Sequence, residues 1–129
     1  MIRSKVIAKN DFNDKKFPSA LAGFQNLLSL GKSEITAESQ FRIAEIQFIT
    51  GKLDESEKTC FEVIKKYGSY TYWVTKSYLL AGDIYFTQKD FFNAEATFKS
   101  IAENSVIPEL KTEAATKLNT VLTEKSKNN

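Results

Sequence analysis

Five residue positions recur three times along this chain, at fixed spacing and with fixed chemical character. The first set is Ala8, Phe17, Ala20, Phe24 and Leu27, with spacings of 9, 3, 4 and 3. The same spacings return at Ala44, Leu53, Ser56, Cys60 and Val63, and again at Gly82, Phe91, Ala94, Phe98 and Ile101. Successive sets are shifted by 36 and 38 residues. Read down the columns, the residues are small, large and apolar, small, large, then aliphatic. A repeat of this length is one supersecondary unit that cannot bury its apolar face alone, so its stability comes from stacking on its neighbours.

Within each unit the periodicity is helical. Apolar residues at 20, 24, 27 and 28, at 56, 60, 63 and 64, and at 94, 98 and 101 lie on single helix faces. The segments Ser4 to Phe12, Glu38 to Ile49 and Lys76 to Phe86 read as the preceding helices, each with its small residue where a neighbouring backbone comes close. Turns are expected at Asn13-Asp14-Lys15-Lys16, Thr50-Gly51-Lys52 and Thr87-Gln88-Lys89-Asp90. Pro18 suits the start of a helix, Asp54 and Asp90 suit N-caps, and Gly31 and Gly68 suit C-terminal stops. A last helix, from about Glu109 to Lys125, carries the stripe Leu110, Ala114, Leu118 and Val121 or Leu122, opposite Lys111, Glu113, Lys117 and Glu124. One apolar and one polar side is what the end of a stacked array needs. The tail from Lys125 to Asn129 is expected to fray. The expectation is therefore an all-α chain of three stacked antiparallel helix pairs closed by a seventh helix. It forms one domain, with units at about 1–36, 37–74 and 75–107 and the closing helix at about 108–125.

Composition narrows the chemistry. Histidine is absent and Cys60 is the only cysteine among 129 residues, which removes His-based triads, intrachain disulfides and most metal sites. Eighteen basic against sixteen acidic residues leave +2, too little for a nucleic-acid or anionic-membrane footprint. No run of about 18 apolar residues is present to span a membrane, and the N-terminus lacks the pattern of a secretory signal. There is no Gly-rich phosphate loop. Asp54, Glu55 and Glu57 read as a solvated helix start, and Cys60 as a buried space-filling thiol. The chain reads as no enzyme, with no cofactor. One thiol without a disulfide is compatible with a bacterial cytoplasm and equally with a periplasmic fragment lacking its leader.

The segments from Ala44 to Ser56 and from Gly82 to Ala94, with small residues twelve apart, resemble the tetratricopeptide repeat (TPR) family. The resemblance covers about residues 1 to 104, and residues 108 to 125 resemble that family's capping helix. Trp73 to Ile101 also resembles C-terminal repeats of long bacterial TPR proteins, particularly those of Bacteroidetes. The chain departs from the family in its longer period, against about 34 residues, so longer connections are expected after Gly31 and Gly68. Of the tyrosines common three residues after the first small position, only Tyr85 matches, with Asp11 and Gln47 at the other two places.

The resemblance implies a right-handed superhelix, an α-solenoid, whose concave wall is built from the first helices. Its inward rows would be Lys5, Phe41 and Leu79; Lys9, Glu45 and Asp83; and Phe12, Phe48 and Phe86. Such a groove suits an extended or helical peptide of a protein partner, aromatics supplying area and charges supplying register. The candidate partner-binding residues are Phe41, Glu45, Phe48, Lys76, Leu79, Asp83 and Phe86. The competing reading packs the phenylalanines against adjacent repeats. A TPR subclass clamps C-terminal carboxylates with lysine, arginine and asparagine. Lys5 and Lys76 match that pattern, whereas Lys9, Arg42 and Leu80 break it. The aromatic run Tyr67 to Trp73 reads either as a contact patch or as a loop pinned to the stack. The alternative function is structural: self-association through exposed Ile2, Val6 and Ile7, or service as the end of a longer scaffold, with no peptide ligand.

Overall fold

The computed structural model describes residues 2–127, and side chains from residue 3 onward. The side chain of Ile2 and the tail residues Asn128 and Asn129 lie outside the described residues. The chain is all-α: α1 (Ile2–Asn13), α2 (Phe17–Leu27) with a 3-10 turn at Leu28–Leu30, α3 (Glu34–Ile49), α4 (Leu53–Lys66), α5 (Thr71–Thr87), α6 (Phe91–Asn104) and α7 (Pro108–Lys127). No strand occurs among the described residues.

The five repeated columns predict burial. Ala8, Ala44 and Gly82 are buried, as are Ala20, Ser56 and Ala94; Phe24, Cys60 and Phe98; and Leu27, Val63 and Ile101. Phe17, Leu53 and Phe91 are half-buried in all three units. The polar member of the set, Ser56, is satisfied because its Oγ donates to the carbonyl of Ala44 at 2.7 Å.

Helices α1, α3 and α5 end in the same way. The amides of Lys15, Gly51 and Lys89 donate to the carbonyls of Phe12, Phe48 and Phe86 at 3.0, 3.1 and 3.0 Å. The next amides, of Lys16, Lys52 and Asp90, reach Asp11, Gln47 and Tyr85 at 2.8 Å each. This double bond pattern is the Schellman motif, which places one residue in the left-handed region. That residue is Lys15 (φ 61°), Gly51 (φ 84°) and Lys89 (φ 62°). The even helices then run back along their partners.

Three apolar cores follow, each made by one such hairpin and the odd-numbered helix after it. Ala8, Phe24 and Leu27 meet Ile43 and Ile46 of α3. Phe41, Ala44, Cys60 and Val63 meet Trp73, Leu80 and Ile84 of α5. Leu79, Ala94, Phe98 and Ile101 meet Leu110, Ala114 and Val121 of α7. The last helix thus covers a core that two helices leave open. Of its expected stripe, Leu118 is partly buried and Leu122 exposed.

Several local expectations are corrected. The connections after α2 and α4 are short, residues 31–33 and 67–70, and the extra residues of the longer period lie in helices α3 and α5. Helix α3 starts at Glu34 because Ser33 and Thr36 form a reciprocal capping box. Helix α5 starts at Thr71, so Tyr72 and Trp73 are helical. Asp54 is the second residue of α4, with Lys52 at the cap position, whereas Asp90 does cap α6 by accepting from the amide of Asn93 at 3.2 Å. Gly31 adopts a left-handed φ of 85°; Gly68 does not.

Candidate functional site

The first helices of the hairpins, α1, α3 and α5, together with α7, are linked by side chains along one face. Lys5 and Lys9 of α1 bind Glu38 of α3 at 2.6 and 3.5 Å. Arg42, one turn on, bonds Glu38 at 3.3 Å and Glu45 at 2.8 Å. Its guanidinium also stands 5.9, 5.6 and 5.6 Å from the ring centres of Phe12, Phe41 and Trp73. From α5, Lys76 lies 5.6 Å over Phe41, and the indole N–H of Trp73 donates to Glu34 at 2.8 Å. Asp83 of α5 then meets Lys117 of α7 at 2.7 Å.

Burial and charge pull against each other here. The Glu38 side chain is only 4% exposed. Burial works against its ionisation, but Lys5, Arg42 and Lys9 outweigh it and hold the carboxyl below the usual range. Asp83 goes the other way: burial pushes its carboxyl up, and the bond to Lys117 only partly opposes the rise. Lys5, Lys9, Arg42 and Lys117 are all paired with carboxylates. Lys76 has no carboxylate partner within ion-pair distance among the described residues.

The expected partner-binding residues divide accordingly. Phe48 and Phe86 are half-buried at the ends of α3 and α5, each leaning on the core of its own hairpin. Phe86 packs 5.7 Å from Phe91, as Phe12 packs 5.8 Å from Phe17. Glu45 and Asp83 are half-exposed but engaged by Arg42 and Lys117. Phe41 and Leu79 are corrected: each is 2% exposed and belongs to an apolar core, because the row they share faces the next odd helix. They brace the face and offer it no surface. Lys5, Lys9 and Arg42, compared above with a carboxylate clamp, already hold a carboxylate of the chain itself.

Two residues of this face are absent from the sequence-based selection. Glu38 occupies the same repeat position as Lys76, six residues before the small column, so the register itself marks it. Lys117 is corrected: expected on the polar side of α7, it lies three residues after Ala114 and four before Val121, is half-buried, and turns toward α5 to meet Asp83. Elsewhere, Tyr67 and Trp73 are core residues while Tyr72 stays exposed. Burial pushes the Cys60 thiol up to about 12, which leaves it protonated and inert as a nucleophile at neutral pH.

A cavity of about 220 Å³ opens beside the Asp83–Lys117 pair, lined also by Phe86, Phe98, Thr120 and Val121. Its repeat counterpart, about 50 Å³, is lined by Lys9, Phe12, Asn13, Phe24 and Arg42. Among the described residues, no cluster of His, Cys, Asp or Glu is placed to hold a metal ion, and no helix is long and apolar enough to cross a membrane. No protein-family model matches the chain, and no curated protein matches it.

Proposed function

We propose that the chain is a noncatalytic protein-interaction module: a right-handed α-solenoid of three tetratricopeptide-type hairpins capped by α7, binding a peptide or helical segment of a partner protein along its odd-helix face. The observation that carries this reading is a packing asymmetry. Helix α3 touches α5, α5 touches α7, and α1 reaches α3 through Glu38, whereas no even-numbered pair among the described residues meets to a comparable extent. A stack closer on one side than the other curves toward the closer side, so the odd-helix face is the inner wall of a groove.

That wall is held rigid before a partner arrives. Ion pairs crossing α1–α3 and α5–α7 fix its charged side chains, which lowers the ordering cost of association. Phe48 and Phe86 supply apolar contact, and Lys76 supplies the unpaired charge. Truncating one such aromatic anchor costs ~1–3 kcal/mol of binding. The test is a pull-down from extract with the native chain and the Phe48→Ala/Phe86→Ala variant, both checked for equal helix content by circular dichroism. Retention of every partner by the double variant would move the site off this face.

A second reading, self-association, is favoured by one observation: Val6 and Ile7 of α1 are 50% and 53% exposed. Their repeat counterparts Ile43, Leu80 and Ala81 are buried, and Arg42 is half-buried. Light scattering over a concentration series separates the two, since a strict monomer leaves that face without a second copy.

A further inference from the structure

We propose that the cavity between α5 and α7 is the anchor pocket of the groove, and that it takes one large aliphatic side chain of the bound segment, with the Asp83–Lys117 pair bonding the peptide unit beside it. This deepens the function proposed above and rests on it.

A cavity opens at the same repeat positions in the first and third units. It lies between a hairpin and the next odd helix, under the phenylalanine that ends the first helix of the hairpin. In the first unit the slot is bounded by Phe12 and Phe24, and Arg42 of α3 lies over the Phe12 ring, leaving about 50 Å³. In the second, Leu80 of α5, which shares its repeat position with Arg42, is buried in the core with Cys60, and Phe48 packs against that core. In the third, Phe86 and Phe98 form the corresponding walls and α7 provides Lys117, Thr120 and Val121. Lys117 turns to Asp83 and stands 6.0 Å from the Phe98 ring centre, so about 220 Å³ remains open. That is below the ~300–1,000 Å³ of whole-ligand pockets and suits a single side chain. In the second unit the residue at the repeat position of Arg42 is a leucine buried in the core against which Phe48 packs, and the walls Phe86, Phe98 and Val121 are apolar, so an aliphatic occupant is the matching one.

The rim fits a peptide by charge. A peptide unit presents one N–H donor and one C=O acceptor. Asp83 has acceptor capacity beyond its bond to Lys117, and the Lys117 ammonium has donors beyond that bond. The pair therefore faces the backbone of an inserted residue with a group of each kind, and Glu113, 4.0 Å from the Lys117 ammonium, adds a second carboxylate at the rim.

The test uses a displayed library of random peptides selected on the full chain, with the binders measured against three variants. Thr120 is exposed and lines the cavity, so Thr120→Trp blocks the pocket from a solvent-facing position, while Thr112→Trp puts the same side chain at an exposed position of α7 outside the cavity. Phe48→Ala reports on the groove away from the cavity. The expected result is a set of binders sharing a leucine, isoleucine or methionine, weakened about tenfold or more by Thr120→Trp, unchanged by Thr112→Trp, and weakened by Phe48→Ala. Binders weakened by Phe48→Ala but indifferent to Thr120→Trp would overturn the pocket and leave the groove standing. No binders, or binders indifferent to all three substitutions, would overturn both.

Discussion

The ring of Phe98 occupies the space into which a side chain on Gly82 would extend. A Cβ built on Gly82 would lie 3.0 Å or less from Cε1, Cζ and Cδ1 of that ring. The same column holds alanine in the other two units, at Ala8 and Ala44. In the first unit the close approach is made instead by Gly23, whose absent Cβ would lie 3.0 Å from that of Ala8.

Gly82→Ala is therefore expected to destabilise the fold. Overpacking costs ~1–3 kcal/mol, against at most about 1 kcal/mol gained in helix propensity. The urea midpoint should fall, and the double variant Gly82→Ala/Phe98→Leu should recover part of the loss. A higher midpoint for Gly82→Ala would contradict this packing.

The three Schellman turns make a paired prediction. Lys15 and Lys89 hold left-handed backbone that Gly51 adopts without a Cβ. Lys15→Gly and Lys89→Gly should each stabilise by ~0.5–1 kcal/mol, and Gly51→Ala should cost about 1 kcal/mol. Thermal unfolding of the three single variants checks the signs.

Tyr67 is fully buried and its hydroxyl has no hydrogen-bond partner among the described residues. An unmatched buried polar group costs ~1–3 kcal/mol. Tyr67→Phe should accordingly raise the urea midpoint. A marked drop would mean that the hydroxyl has a partner.

Glu38 and Asp83 should titrate on opposite sides of an ordinary carboxylate. The carboxyl of Glu38 is held low in the folded state, so its stabilisation is present above the unfolded value of about 4.3 and is lost as pH falls through the lower folded one. That of Asp83 is raised, so its burial penalty applies above its folded pKa and is relieved as pH falls through it toward the unfolded value of about 3.9. Carboxyl-carbon NMR titration should place Glu38 below and Asp83 above the unfolded-state values. Glu38→Gln should destabilise at neutral pH, with its difference from the native chain shrinking in acid.

The core was legible in the sequence because burial on a helix follows its period, and three copies of one pattern left little room for another register. The helix starts were less so. Ser33 and Thr36 form a capping box in which threonine replaces the usual Glu or Gln, and Thr71-Tyr72-Trp73 has modest helix propensity that Trp73 overcomes by packing between α3 and α5. The odd-helix face was legible as rows of residues but not as contacts. Spacing places Lys9, Glu45 and Asp83 in one column, yet which carboxylate each cation reaches depends on the distance between helices far apart in sequence. Phe41 and Leu79 failed as surface residues for the same reason: a row that points inward is groove or core according to how closely the next odd helix approaches.

In the proposed groove a partner lies along α1, α3, α5 and α7. Lysine-directed cross-linking of the chain with its captured partner, read by mass spectrometry, tests it most directly. Partner cross-links should fall on Lys9, Lys76 and Lys117, and should disappear with Phe48→Ala/Phe86→Ala. Cross-links confined to the exposed lysines Lys58, Lys99 and Lys111, on α4, α6 and the outer side of α7, would rule out binding along the odd-helix face.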